Sequence, residues 1–176
     1  MTSLLTFAFL LLTPAAAQTW TAPVEVRHDD NLALSYRARY TGDYLVVETK
    51  VEKGWHTFAL DNEVRHTQKL AGKPSLGVEK STVVKVEEGL KTEGSWLQTD
   101  PQDFSQPEIR HYTYGFNNVA HFAIKAKPEG AGPAKVNIKG QACTESVCKN
   151  IDVTLAVPLQ ASAGAFDAAK LVPVRQ

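Results

Sequence analysis

An all-β fold, with two antiparallel sheets packed face to face, is what this sequence predicts, on three observations. Apolar and polar residues alternate at period two along several short runs. Clusters of Gly, Pro, Asp and Asn separate those runs. No window sustains the apolar period of an amphipathic helix. Closure into a barrel is the alternative arrangement for the same strands. The chain has 176 residues, 43% of them hydrophobic, which suits one domain with a sizeable core. Its formal net charge is zero, so it offers nucleic acid no basic surface.

The N-terminal stretch "MTSLLTFAFLLLTPAAAQ" is set apart from this pattern. An apolar run from Leu4 to Leu12 leads through Pro14 to Ala15-Ala16-Ala17, the small-residue pattern of a secretory cleavage site. The only positive charge ahead of the run is the amino terminus. The run is too short for a bilayer, which needs about 20 apolar residues. Residues 1–17 are therefore read as a signal peptide, with cleavage after Ala17 and a mature protein beginning at Gln18. The mature chain is expected to be exported, periplasmic or secreted, with no stable membrane insertion. With no cysteine near the cleavage site, no lipid anchor is expected.

In the mature chain the strands follow in order. "LALSYRARY" (Leu32–Tyr40) places Leu32, Leu34, Tyr36, Ala38 and Tyr40 on one face. The turn "TGD" joins it to "YLVVETKVE" (Tyr44–Glu52). The aromatic run "GWHTFAL" (Gly54–Leu60) and the alternating "STVVKVE" (Ser81–Glu87) come next. "VAHFAIKAK" (Val119–Lys127) sets Ala120, Phe122, Ile124 and Ala126 opposite Val119, His121, Ala123 and Lys125. "AKVNIKG" (Ala134–Gly140) and "IDVTLAVPL" (Ile151–Leu159) complete the set. About seven to nine short strands at this spacing fit a sandwich. The domain is expected to span residues 18–160, with 161–176 as a C-terminal tail; "SAGAFDAAKLV" within that tail is the one helix-tolerant stretch. Two segments, Asp61–Pro74 and Gly94–Arg110, break the strand rhythm and read as long loops, which in compact domains more often carry function. The second contains Trp96 and Phe104. Both could equally be aromatics that close the open edge of a sandwich, and Trp96 is expected in the core.

The only two cysteines lie in "GQACTESVC", as Cys143 and Cys148. Strand-like sequence on both sides implies a β-hairpin with Thr144-Glu145-Ser146-Val147 as its loop. Facing positions on such strands stand at about the 5.5 Å Cα separation that a disulfide favours. In an oxidising compartment the bond is expected to form at least part of the time. As a staple it would add only about 2 kcal/mol, against about 4.7 for a loop of 100 residues. Three readings remain at this point: redox exchange, a local structural clip, and metal binding. Two thiolates with no His-x-His or cysteine-rich run make a poor zinc site. The single methionine, at the initiator position, argues against a methionine-rich copper carrier. Neither a metal nor a cofactor is expected.

The residues around the pair also carry a likeness. "QAC", four residues, then Cys, with "VTLAVPL" following, resembles the N-terminal periplasmic domain of the bacterial thiol:disulfide interchange protein DsbD family. "KGWHTFAL" (Lys53–Leu60) resembles that family's Gly-Trp-His-aromatic strand. "DFSQPEIRHYTYGFNNVAHFAIKAK" (Asp103–Lys127) resembles the segment in which an aromatic loop precedes a strand leading to the cysteine hairpin. The resemblance spans about residues 22–160. It implies an immunoglobulin-like sandwich with Cys143 and Cys148 as a redox-active pair and Phe104 as the aromatic of a cap loop. It also implies partners: a membrane-embedded or thioredoxin-like electron donor, and oxidised exported proteins that receive the electrons. The sequence departs from the family in two places. Lys149-Asn150 follows the second cysteine where an aromatic or leucine and two prolines are usual, and Gly140 stands where a tyrosine is common. The family's membrane and thioredoxin-like parts have no counterpart here, so the electron donor is expected to be another polypeptide. The rival reading is an exported binding or adaptor module whose disulfide exchanges no electrons.

Among the remaining candidates, His56 reads as a packed or rim residue rather than a catalytic one, and Trp55 as a core residue. His66, His111 and His121 have no spacing that makes a metal site. Asp100, Asp103 and Glu108 would tune the thiols only from beside the hairpin. Glu145 and Lys149 flank the cysteines with opposite effects on thiol acidity.

Overall fold

The computed structural model describes residues 20–161 and 166–176. The expected signal peptide lies outside the described residues. Among the described residues, twelve strands and one α-helix follow in chain order: β1 (Val24–His28), β2 (Asn31–Tyr40), β3 (Tyr44–Val51), β4 (His56–Phe58), α1 (Asn62–Leu70), β5 (Val83–Glu88), β6 (Leu90–Gln98), β7 (Gln102–Asp103), β8 (Tyr114–Phe116), β9 (Val119–Pro128), β10 (Ala134–Cys143), β11 (Cys148–Val157) and β12 (Val172–Pro173). They form the expected sandwich. One sheet runs β1-β2-β3-β9-β6-β12 and the other β11-β10-β4-β8-β7, with β5 also paired to β10. Every pairing is antiparallel.

The core forms where the alternating faces meet. Leu34, Tyr36, Ala38 and Tyr40 of β2 are buried in one cluster with Ala120, Phe122, Ile124 and Ala126 of β9. From the other sheet come Ala134, Val136, Ile138 and Ala142 of β10, with Trp55 and Ala59 flanking β4. Trp96 is only half-buried, packed against the rim of this cluster rather than inside it. One close approach inside the second sheet requires glycine: a Cβ on Gly115 would overlap the carbonyl oxygen of Thr57 on the neighbouring strand. Gly115→Ala is expected to cost about 1–3 kcal/mol, as overpacking does, measured as a lower urea midpoint at unchanged slope.

Two segments read as loops contain regular structure. Within Asp61–Pro74 lies α1, whose buried residues are Asn62, Arg65 and His66. A helix with a polar buried face leaves no apolar period to detect. Gly94–Arg110 begins inside β6 and goes on through β7 to a short 3-10 turn at Pro107–Ile109. Strand β6 escapes the alternation test because its register shifts against β9 between Glu93 and Leu97, where Gly94 takes φ +77. The segment expected as a tail returns to the domain: Val172 and Pro173 pair with Gln98 and Leu97. The amide of Arg175 then donates to the Asp61 carboxylate (2.9 Å).

Candidate functional site

The site begins with the register of β10 and β11. Their pairing runs unbroken from Ala134↔Val157 to Cys143↔Cys148, and the loop is Thr144–Val147 as expected. The Thr144 amide donates to the Val147 carbonyl (2.8 Å). The cysteines therefore occupy the adjacent non-hydrogen-bonded rung, where antiparallel strands stand closer. Their Cα atoms are 4.0 Å apart, shorter than the sequence expectation, and they are joined as a disulfide.

Strand alternation decides which way the pair points. Ala142 faces the core between the sheets, so Cys143 projects from the opposite face. The two sulfur-bearing residues are unequal. Cys143 is 2% exposed, whereas Cys148, on the edge strand β11, is exposed. On the other flank of β10, Cys143 pairs with His56 of β4. Cys148, Cys143 and His56 thus form one row across the outer face of the sheet.

An arm covers the inner end of this row. Residues 102–116 fold as a hairpin, with Asp103 opposite Tyr114, the Phe104 amide donating to Thr113, and Gln106 bridged to His111. Helix α1 fixes the arm through polar side chains. Asn62 Oδ1 accepts from the Tyr114 amide (2.7 Å), and its Nδ2 donates to the Glu79 carbonyl (2.9 Å). His66 Nδ1 lies 3.0 Å from the Tyr112 carbonyl, and its Nε2 lies 3.0 Å from the Ser75 hydroxyl.

The Phe104 ring is half-buried against His56, with centroids 5.5 Å apart, and His56 meets Phe58 edge-on at 5.3 Å. Between the arm and the hairpin loop lies a cleft of about 460 Å³, bounded by His56, Glu79, Phe104, His111, Thr144 and Glu145. Burial lowers the pKa of His56 from its ordinary value, opposed in part by the negative charge of Glu79. Glu79 itself pairs with His111 Nε2 (3.0 Å).

Phe104, singled out in the sequence, is brought to the hairpin side of the fold. Asp100, Asp103 and Glu108 are not among the residues lining the cleft, and Trp96 does not line it either. His56, read in the sequence as a packed or rim residue, lines it, and so does Glu79, which the sequence did not single out. His56 could have been found from the strand register, had the partner of Cys143 been known. Gly140, the departure noted beside the cysteines, has a local cause. A Cβ there would come within 3.2 Å of the Thr82 backbone, so the chain entering β5 occupies the space a side chain would need. Among the described residues no cluster of His, Cys, Asp and Glu could hold a metal ion, and no helix is long and apolar enough to cross a membrane.

No family model matches the sequence, and no curated protein matches it either. Solved structures do match. The N-terminal periplasmic domain of ScsB from Proteus mirabilis aligns over 81% of this chain and 52% of its own, with 19% identity and a TM-score of 0.54. This chain therefore spans about half the length of that structure. The N-terminal domain of DsbD from Neisseria meningitidis, in its reduced form, aligns over 81% of this chain and 91% of its own, with 14% identity and a TM-score of 0.48. The architecture built above from strand register and burial is thus similar in fold to the N-terminal periplasmic domain of ScsB.

Proposed function

We propose that this protein carries out thiol–disulfide exchange through Cys143 and Cys148 in an exported, periplasmic setting. It relays electrons from a membrane-embedded or thioredoxin-like donor to oxidised exported proteins. The observation that carries this reading is the asymmetry of the disulfide: one cysteine exposed on an edge strand, the other buried on the strand next to it. A clip meant only for stability has no use for that arrangement. It joins neighbours that ten register pairs already hold, and its loop-closure contribution is only about 2 kcal/mol. The likeness in fold to a periplasmic domain supports the setting.

Exchange starts when a donor thiolate attacks the exposed Cys148 sulfur. The S–S bond breaks, its electron pair leaves on Cys143, and a mixed disulfide joins donor and Cys148. A second donor thiol releases the reduced pair, which then reduces a partner disulfide by the same steps in reverse. Phe104 acts as the shield, keeping small oxidants and thiols from the buried sulfur until a partner displaces the arm.

The test is the rate at which glutathione reduces the disulfide in the folded protein. Phe104→Ala is expected to raise that rate several-fold with little change in melting temperature, because the ring is only half-buried. An unaltered rate removes Phe104 from the role. A wild-type disulfide that resists a strong dithiol under native conditions overturns the exchange reading and favours the adaptor. Replacing both cysteines by serine is expected to leave a cooperative fold weakened by about 2 kcal/mol, measured by urea titration.

A further inference from the structure

His56 occupies the one position in the fold that faces Cys143 from the side away from Cys148. Strand β10 pairs with β11 on one edge and with β4 on the other, and at the Cys143 rung the β4 partner is His56. Directly opposed residues of antiparallel strands project to the same face, with Cβ atoms about 5 Å apart. The imidazole is held in place by Phe58 and Phe104. Among the described residues, neither of its nitrogens is hydrogen-bonded. Three other histidines are engaged: His66 with Tyr112 and Ser75, His111 with Glu79, and His121 with Glu48. The fourth, His28, packs on Trp55.

We infer that His56 accepts the proton of the Cys143 thiol when that cysteine resolves the mixed disulfide on Cys148. This rests on the exchange reading and adds a base to it. Once the pair is reduced, a cysteine buried as Cys143 is keeps its proton, since an apolar site disfavours the thiolate. A thiol attacks poorly, so the resolving step needs a base within the protein. The titratable groups that share the cleft with His56 are Glu79, His111 and Glu145. Burial leaves the His56 imidazole neutral, with a lone pair available, around neutral pH.

The step balances. With a partner joined to Cys148, the Cys143 S–H proton passes to His56 and the Cys143 thiolate attacks the Cys148 sulfur. The bond from Cys148 to the partner breaks, and its electron pair departs on the partner sulfur, which takes up a proton. The cysteine pair loses two electrons and the partner disulfide gains them.

Ellman's reagent separates the two halves, because each releases one coloured thiolate. The reduced mature protein is mixed with the reagent in a stopped-flow instrument. Two phases are expected, the first from attack by Cys148 and the second from resolution by Cys143. His56→Gln should slow the second phase relative to the first by roughly 100-fold, the scale of general-base catalysis. In the wild type the second-phase rate should rise through the His56 titration and then level off. In His56→Gln it should keep rising with pH, and added imidazole should restore part of the rate to His56→Gly. Glu79→Gln, which keeps the imidazole, should move the wild-type midpoint to lower pH by removing the charge that favours the protonated ring. A second phase with unchanged rate and pH profile in His56→Gln overturns the inference while exchange itself stands. A wild-type protein that gives no second phase, although Cys148 reacts, overturns the exchange reading.

Discussion

Cys148→Ser is expected to abolish exchange with disulfide substrates, whereas Cys143→Ser should keep the first step and accumulate a mixed disulfide. The reason lies in the direction from which a thiolate must approach. Displacement at sulfur needs the attacker opposite the leaving sulfur. For Cys148 that direction opens past β11, the edge of its sheet. For Cys143 it points toward β4, where His56 stands with Phe104 packed against it. Exposure agrees, since Cys143 is 2% exposed. The check is non-reducing electrophoresis of each single variant, reduced and then mixed with an oxidised protein substrate. A covalent adduct on Cys143→Ser and none on Cys148→Ser is the expected pattern. The opposite pattern would assign the first attack to Cys143.

The second large effect is expected at Asp61, which lies at the start of α1 and is 1% exposed. Its carboxylate accepts from Arg65 Nε (2.7 Å), Gln98 Nε2 (2.7 Å) and the Arg175 amide (2.9 Å). It thereby joins helix, β6 and the returning C-terminal segment at one buried point. Asp61→Ala would leave the Arg65 guanidinium and the fully buried Gln98 amide without their partner. Removing one member of a buried charged pair costs about 3–5 kcal/mol, read as a fall in the urea midpoint at neutral pH. Burial works to raise the Asp61 pKa, but the hydrogen bonds from Arg65, Arg175 and Gln98 outweigh it and hold the carboxyl below its usual value. A depressed carboxyl stabilises the fold above its unfolded pKa of about 3.9. That contribution is lost as pH falls through the lower folded value. The gap between wild type and Asp61→Ala should therefore narrow on acidification below about pH 4. A gap that stays constant down to pH 2 would show that Asp61 acts without its charge.

Sequence by itself determined the sandwich, the long alternating strands and the hairpin. Leu34, Tyr36 and Ala38, or Ala120, Phe122 and Ile124, sit where period two puts them, because one face of each strand is buried and alternation records which. The Thr144–Val147 loop was legible for the same reason: two alternating runs left only those four residues between the cysteines. Tertiary structure alone decided the rest. Helix α1 is invisible to hydrophobic periodicity because its buried residues are polar: Asn62 and His66 are satisfied by residues far along the chain, at Tyr114 and Tyr112, and Arg65 by Asp61 one turn back. The row Cys148–Cys143–His56 depends on β4 lying beside β10, a pairing of residues 87 positions apart that no local pattern encodes. The inequality of the two cysteines arises in the same way. They are near neighbours in sequence, but one lies exposed on an edge strand and the other is buried between two strands, so only the packed fold makes them chemically different.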